Sequence, residues 1–218
     1  MTYALIAHTS RAGAGTTSAI DTTGASLLIA VADDSAPVPT PTDSKSNISW
    51  TKLTGQSGTF GSETAIFYCK NPTVGSGHTF TIGGSVPALC VAAFSGADTS
   101  SPFDQENGVP ETATPEQAGS ITPSQNDELI IAALGGLGQG ASIDSGFTLI
   151  ESQPLTGGVN FASYLAYLIQ GTAAAVNPSW TTSTGTATPV IASFKVAGAA
   201  SVKPYWLYAS QFVIGGPG

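Results

Sequence analysis

Two histidines and fourteen carboxylates are the side chains of this sequence best suited to acid–base chemistry. A serine hydrolase needs a histidine held beside a nucleophile. His8 ends the first predicted strand beside Thr9 and Ser10, and His78 follows a Gly-Ser-Gly turn. Neither position resembles a nucleophile elbow. The sequence therefore predicts that neither histidine is catalytic.

The carboxylates stand mostly at predicted loop positions. Glycoside hydrolysis would need two of them about 5–10 Å apart. The simpler interpretation is that these carboxylates are solvated turn residues. Asp33-Asp34 is interpreted as a pair that ends a strand. The alternative is that this pair binds a cation or sugar hydroxyls. The residues interpreted as solvated turn residues are Asp33, Asp34, Asp43, Glu106, Glu111, Glu116, Asp127 and Asp144.

The sequence predicts no metal site and no cofactor. The two cysteines, Cys69 and Cys90, form no Cys-x-x-Cys motif and have no nearby histidine pair, so zinc is not expected. Both lie in predicted strands, as buried thiols or, alternatively, as a disulfide. The glycine-rich run 134–142 follows a strand but lacks the Gly-Lys-Ser/Thr ending of a phosphate loop, and it is interpreted as a flexible connection.

The composition indicates a β-protein with a weakly charged surface. Asp, Glu, Lys and Arg make up 9% of the residues, against about 25% in ordinary soluble domains. Net charge is −8 with six Lys and Arg, so neither nucleic acid nor an anionic membrane is an expected partner. No signal peptide and no run of 18 apolar residues is recognised; we expect exit from a cell by lysis, by another secretion route or within a particle.

Short apolar runs between turn clusters predict an all-β sandwich. The predicted strands lie near 3–8, 26–32, 48–53, 63–70, 78–82, 87–95, 128–134, 147–152, 161–170, 178–183 and 188–196, with edge strands near 16–20 and 118–122. The polar stretch 97–127 is interpreted as a long crossover of the kind that Greek-key and jelly-roll folds require.

The strands fall into two similar sets. LLIAV at 27–31 corresponds to LIIAA at 129–133, and VAAF at 91–94 corresponds to IASF at 191–194. Five such landmarks recur in the same order, about 100 positions apart. The sequence therefore predicts two pseudo-repeats of about five strands each, near 20–96 and 122–197. They should close on each other in one domain, 1–197, since neither can cover its apolar face alone.

The segment 198–218 departs from this pattern because it is the most aromatic part of the chain. It is either a last strand packed on its own domain or an arm that docks on a neighbouring subunit. Trp and Tyr dominate the energetics of interfaces. The docking residues would be Tyr205, Trp206, Leu207, Tyr208 and Phe212.

The string FSGADTSSPFD, Phe94 to Asp104, is the most distinctive of the chain. Asp98 is placed to accept backbone N–H groups from the two serines that follow, in an Asx turn. A calcium site formed by Asp98 and Asp104 is the alternative, although calcium requires six to eight oxygen ligands.

Together with SLLIAVA, WTKL and ETAIFYCKN, this string resembles a jelly-roll-like β-sandwich family of phage structural proteins and bacterial surface proteins. The family's Asp before the Leu pair is absent, since Gly24-Ala25-Ser26 precede Leu27, and Ser49 rather than Gly precedes Trp50. The resemblance implies a sandwich fold and a place in a virion or, alternatively, on a bacterial surface. It implies no reaction.

These observations predict a non-catalytic virion structural protein, such as a capsid decoration or cement protein or a head or tail appendage subunit. Its expected partners are other virion proteins and itself, in a homo-oligomer. The alternative is an adhesin or receptor-binding module that stacks host glycan on Trp50, Trp180 or Tyr164. An enzyme is the third and weakest interpretation.

Overall fold

A computed structural model describes residues 2–58, 61–112, 114–183 and 185–198. The predicted docking residues Tyr205, Trp206, Leu207, Tyr208 and Phe212 lie outside these ranges. The described chain is almost entirely β-structure in antiparallel sheets, so the predicted all-β sandwich is confirmed.

The described residues form sixteen strands. In chain order they are β1 (Ala4–Ala12), β2 (Gly15–Thr16), β3 (Leu27–Ser35), β4 (Thr42–Asp43), β5 (Trp50–Lys52), β6 (Gln56–Ser57), β7 (Ser62–Lys70), β8 (Phe80–Ile82), β9 (Ala88–Ser95), β10 (Phe103–Gly108), β11 (Glu128–Gly136), β12 (Ser142–Ile143), β13 (Thr148–Gln153), β14 (Ala162–Gln170), β15 (Trp180–Thr181) and β16 (Ala187–Phe194).

Each half of the chain forms one main sheet. The first sheet has the order β1-β9-β3-β7-β5, with β6 also pairing with β7, and the second has the order β10-β16-β11-β14-β13. Numbered within its own half, each sheet follows the same order, 1-5-2-4-3. Two small sheets, β2-β8-β4 and β12-β15, lie outside this pattern.

The central strands of the two sheets also share a pairing register. Leu27 of β3 is opposite Phe94 of β9, and Leu129 of β11 is opposite Phe194 of β16. Leu27 and Leu129 belong to the two sequence motifs that were matched above. The equivalent pairs show that the two sheets are built alike here, while the two pseudo-repeats, near 20–96 and 122–197, stay a prediction.

The central strands are buried on both faces, which is why they read as continuous apolar runs. Leu27, Ile29 and Val31 of β3 face the second sheet and join the main core between the sheets. Leu28 and Ala30 face away and pack with Phe80 of β8 in a second apolar layer. The corresponding outer layer on the second sheet contains Tyr164 and Trp180.

The predicted crossover 97–127 contains a strand that sequence patterning missed. β10 forms an edge of the second sheet, paired with β16. Its sequence, FDQENG, has one apolar residue and so lacks the alternation that marks a half-buried strand. The edge strand expected near 118–122 is instead a single bridge between Ile121 and Val176.

Candidate functional site

His78 lies in a buried hydrogen-bonded chain with Thr22 and Asp43. Its Nε2 is 3.1 Å from Asp43 Oδ1, and its Nδ1 is 2.9 Å from the Thr22 hydroxyl. The side chains of His78 and Asp43 are both fully buried, and Thr22 is 0% exposed. Burial lowers the pKa of His78, which the bond to Asp43 only partly offsets. A neutral ring then donates from Nε2 to the carboxylate and accepts at Nδ1.

This hydroxyl–imidazole–carboxylate arrangement resembles a catalytic triad in connectivity, but its hydroxyl is out of reach of a substrate. Asp43 also accepts from the backbone N–H of Lys45 at 2.9 Å and from the Trp50 indole at 3.0 Å. These bonds, with burial acting against them, lower the pKa of Asp43. The cluster joins three segments of the first half. The expected solvated turn at Asp43 is wrong.

Asp33 is a second buried carboxyl, inside β3 and facing the second sheet. It is 0% exposed, and Thr64 of β7 donates a short hydrogen bond to its Oδ2. Gly135 of β11 lies against this pair, where a Cβ atom would overlap both side chains. Burial raises the pKa of Asp33 well above 3.8, and the neighbouring acids Asp34 and Glu63 raise it further. The neutral form of this acid is therefore favoured to a higher pH than that of an exposed aspartate.

The Asp33-Asp34 pair lies next to the end of its strand, as expected, since β3 ends at Ser35, but the expected solvation of the pair is wrong. Both residues lie within β3, and Asp34 is 1% exposed. Glu116 is also buried rather than solvated, and its Oε1 accepts from the Thr182 hydroxyl at 2.7 Å. For a residue at the end of a strand, the local sequence does not indicate whether neighbouring loops will cover its side chain.

Asp34 anchors one wall of an open cavity at this end of the sandwich. Its Oδ1 accepts from the backbone N–H of Ser35 at 2.7 Å and of Val86 at 2.9 Å. The space for its Oδ2 exists because residue 84 is glycine: a Cβ there would overlap that oxygen, and φ is +116°. The Val86 carbonyl accepts in turn from Phe161 N–H at 2.9 Å, which ties the first sheet's loop to the second sheet's loop.

The cavity has a volume of about 280 Å³ and an almost wholly apolar lining. Its walls come from the loops that precede β9, follow β11 and precede β14, and consist of Val86, Leu137, Leu155, Gly157, Gly158, Asn160 and Phe161. Leu137 and Leu155 are partly exposed at its walls, and Val159, in the same loop as Asn160, is 46% exposed. We name this cavity the Asn160 pocket.

Asn160 brings the one side-chain amide to this lining. Its Nδ2 donates to the carbonyls of Pro154 at 2.9 Å and Phe161 at 2.5 Å, which fixes the orientation of the amide. Asn160 is 2% exposed, and its Oδ1 has no hydrogen-bond partner among the described residues. A buried acceptor without a partner costs free energy.

This pocket is not apparent from the sequence. The segment that forms much of it, Pro154–Phe161, reads as a loop because Gly157 and Gly158 interrupt it. The signal that was available is a run of apolar residues in a loop, Leu155, Val159 and Phe161, where solvent exposure would favour polar residues.

A second, smaller groove of about 200 Å³ lies at the β5–β10 edge. Glu106 is its one charged residue. Both of its oxygens are used by Thr54, from the backbone N–H at 2.9 Å and from the hydroxyl at 3.0 Å. Both carboxylate oxygens of the groove are therefore already hydrogen-bonded within the chain.

The three predicted glycan-stacking residues are not placed together for that purpose. Trp180 and Tyr164 are each 1% exposed in the outer core layer, and the Tyr164 hydroxyl donates to the Gly138 carbonyl at 3.2 Å. Trp50 is half-buried, with its ring edge against Phe80. Since a sugar stacks on an open ring face, the structure offers no such face at Trp180 or Tyr164.

The cysteines are both free and buried, so the disulfide alternative is wrong. They pair with β3 from opposite sides: Cys69 of β7 is opposite Leu28, and Cys90 of β9 is opposite Val31. The two strands are thus about 9–10 Å apart, beyond the span of a disulfide. Burial raises the pKa of both thiols.

The predicted Asx turn at Asp98 is confirmed. Its Oδ1 accepts from the backbone N–H of Ser100 at 2.7 Å and of Ser101 at 3.0 Å. Asp104 instead accepts from the backbone and hydroxyl of Ser124, both at 2.8 Å. Within the described ranges, no group of three or more His, Cys, Asp or Glu residues is arranged to hold a metal ion.

No helix long and apolar enough to cross a membrane occurs in the part of the chain that the structure describes. Comparisons with known proteins found no matching family model, curated protein or solved structure.

Proposed function

We propose that this chain is a non-catalytic structural subunit of a phage particle, such as a capsid decoration or cement protein or a head or tail appendage subunit. It acts through contacts with neighbouring copies and with other virion proteins. A bacterial surface is the alternative setting. The setting rests on the resemblance carried by Phe94–Asp104 and the strands before it.

A non-catalytic role is supported by the burial of side chains that are suited to acid–base chemistry. His78 is enclosed with Asp43, Asp33 is enclosed with Thr64, and each of these groups is bonded to a neighbour. The most apolar opening described above is the Asn160 pocket. A surface whose open feature is an apolar pocket is better suited to holding a partner's side chain than to transferring a proton.

The aromatic segment 198–218 is the part of the chain that we propose contacts a neighbouring subunit. It concentrates Tyr205, Trp206, Tyr208 and Phe212 within eight positions, next to a domain of low charge. Aromatic anchors that fill pockets carry much of the free energy of association. The segment is therefore proposed as the arm through which subunits associate.

The glycan-binding alternative is weakened by the burial of Trp180 and Tyr164. No described residue favours it specifically, and it is not proposed further.

The experiment is to measure the mass in solution, by light scattering, of the full chain and of a chain that ends after Ala197. We expect an oligomer for the full chain and a monomer for the shortened one. Thermal unfolding of both is the control, because the shortened chain retains every described strand and should unfold at a similar temperature. Two monomers of equal stability would contradict the proposed role of the segment in self-association.

A further inference from the structure

We propose that Asn107 is a site of spontaneous covalent modification, at which the side-chain amide is lost as ammonia and Asn107-Gly108 becomes an aspartyl or isoaspartyl linkage. This inference goes beyond the proposed function and does not depend on it. The reactants are the chain itself, hydroxide and water. Asn107-Gly108 is the one Asn-Gly pair in the sequence.

The reaction balances within this dipeptide and the solvent. Hydroxide removes the proton of the Gly108 backbone amide, and the amide nitrogen attacks Asn107 Cγ. The Cγ–Nδ2 bond breaks, ammonia leaves and a five-membered succinimide ring is formed. Water then opens the ring at one of its two carbonyl carbons. Opening at one carbon gives aspartate, and opening at the other gives isoaspartate, in which the main chain runs through the side chain. One water is consumed and one ammonia is released.

The Gly108 amide lies against the group that it must attack. Its N–H donates to Asn107 Oδ1 at 2.9 Å, and Oδ1 is bonded directly to Cγ. Reacting groups that are already held together lose less entropy when they react. Gly108 also lacks a Cβ atom, so no side chain obstructs the backbone rotation that closes the ring.

The N–H of Gly108 points away from the partner strand. β10 is an edge strand of the second sheet and pairs with β16. In an antiparallel pair, successive residues alternate between facing the partner strand and facing away from it. Val109 N–H donates to the Pro189 carbonyl of β16 at 3.3 Å, so the preceding N–H faces outward. Asn107 is exposed, and hydroxide and water can therefore reach the reacting atoms.

Asn107 also ties β10 to the segment that leads into β11. Its Nδ2 donates to the Ser120 carbonyl at 3.1 Å, and a Cβ atom at Gly119 would lie 2.6 Å from that nitrogen. Aspartate has no donor for this contact, and it adds a negative charge one position from Glu106. Isoaspartate also lengthens the backbone, which displaces the residues after 107 from their partners in β16. Modification should therefore loosen this edge of the second sheet.

Asn126 is the matched comparison within the chain. It is also exposed, and its Oδ1 accepts from the Ala173 N–H at 2.9 Å. The residue that follows it is Asp127, whose side chain obstructs ring closure. The N–H of Asp127 donates to the Gln170 carbonyl at 2.9 Å, so the attacking nitrogen is already bonded elsewhere. We therefore expect Asn126 to react more slowly than Asn107.

The test incubates the full chain at pH 7, 8 and 9 and follows each asparagine by peptide mass spectrometry. An isoaspartyl methyltransferase assay detects the isomerised product. We expect Asn107 to convert at least about tenfold faster than Asn126, which requires only a small difference in activation free energy. The rate should rise about tenfold for each pH unit, as the population of the amide anion does. Asn107→Gln should prevent conversion, since its longer side chain would have to close a less favourable six-membered ring.

The same incubation in denaturant measures what the fold contributes. We expect the rate at Asn107 in buffer to lie within about tenfold of the rate in denaturant, because an outward-facing edge amide needs little local opening. A rate in buffer more than about a hundredfold below that in denaturant would show that pairing with β16 protects the site, and the inference would be overturned. A rate no faster than that of Asn126 would overturn it equally.

Asn107→Asp tests the structural consequence separately. We expect it to lower the midpoint of thermal unfolding by about 2–4 °C, the shift produced when a domain of this size loses one hydrogen bond. Asn126→Asp is the control, because aspartate keeps an acceptor for the Ala173 N–H, and its midpoint should be that of the parent. If the two variants unfold at the same temperature, modification does not loosen β10 and that part of the inference is wrong.

Discussion

His8 of β1 and Glu151 of β13 bind each other across the gap between the two sheets, with Nδ1 and Oε1 2.7 Å apart. On the opposite side of the sandwich, Glu106 of β10 accepts two hydrogen bonds from Thr54, which follows β5. When only the strands of the two main sheet orders given above are counted, β1 and β10 are the first strands of their halves, and β5 and β13 are the third. The two edges of the sandwich are therefore closed by bonds at corresponding places, one to an imidazole and one to a hydroxyl.

We expect the His8–Glu151 contact to contribute modestly to stability. The His8 side chain is 43% exposed, and exposed pairs are typically worth about 0.2–1 kcal/mol. A double-mutant cycle with His8→Ala and Glu151→Ala, followed by urea unfolding at pH 5.5, should give a coupling of this size. The coupling should diminish in 1 M salt. The Thr54–Glu106 pair is the control, since its neutral hydroxyl should give a smaller dependence on salt.

Asp33→Asn should stabilise the protein increasingly as pH rises. Burial raises the pKa of Asp33 well above 3.8, so the folded state retains a proton that the unfolded chain releases. Stability from this group is complete below about pH 3.8 and is lost as pH rises toward the folded-state pKa. Between about pH 3.8 and the folded-state pKa, the free energy of unfolding of the variant should rise relative to that of the parent by at most about 1.4 kcal/mol per pH unit. Urea unfolding at pH 5, 6 and 7 measures the difference; parallel pH profiles would contradict the burial of a neutral acid.

Gly135→Ala should destabilise the protein because the added methyl group overlaps Asp33 and Thr64. Overpacking in a core typically costs about 1–3 kcal/mol. The same substitution at Gly83, where the added atom meets nothing within 4 Å, is the control and should change stability by less than about 0.5 kcal/mol. Equal changes in the free energy of unfolding at Gly135 and Gly83 would show that the two sheets can move apart at Gly135 at little cost in free energy.

The His78 ring should remain neutral below its ordinary pKa of 6.5, since burial lowers its pKa in the folded state. The unfolded chain then binds the proton first, and stability is lost as pH falls below about 6.5. His78→Gln should remove part of this loss. An NMR titration of the ring gives the direct test: a midpoint above 6.5 would mean that the bond to Asp43 outweighs desolvation.

Both thiols should be unreactive in the folded protein. Cys69 and Cys90 are 0% exposed, and burial raises the pKa of each, which leaves little thiolate to react. A colorimetric thiol assay should detect almost none before unfolding and two per chain in denaturant. Rapid modification of one thiol in buffer would indicate local opening of β7 or β9.

The central strands could be predicted from sequence because they are buried on both faces, and apolar residues therefore run without interruption. The segment predicted at 26–32 corresponds to β3, which continues to Ser35. The prediction stopped before Asp33 because an acidic residue usually marks the end of a strand. An acid is tolerable there because Thr64 of the neighbouring strand β7 donates to it and Gly135 of the opposing sheet leaves space for it.

The edges and loops were harder to predict because their environment is set by distant parts of the chain. β10 has few apolar residues, and pairing with β16 defines it as a strand. The Asn160 pocket combines three loops, and the bond from Phe161 N–H to Val86 that joins two of them spans 75 positions. No local pattern reports such a contact.

The fit of Asp33 against Gly135 has a consequence for how the halves recognise each other. If two first-half sheets were to pack together in the same way, two acids would meet in a dry interior. If two second-half sheets did so, two glycines would face each other across an empty space. Both mismatched assemblies are penalised, the first by the overlap of two buried acids and the second by a void. The sandwich thus resembles an obligate heterodimer whose two members are joined in one chain. The Asp33 side chain of one half fits the space that Gly135 leaves in the other half.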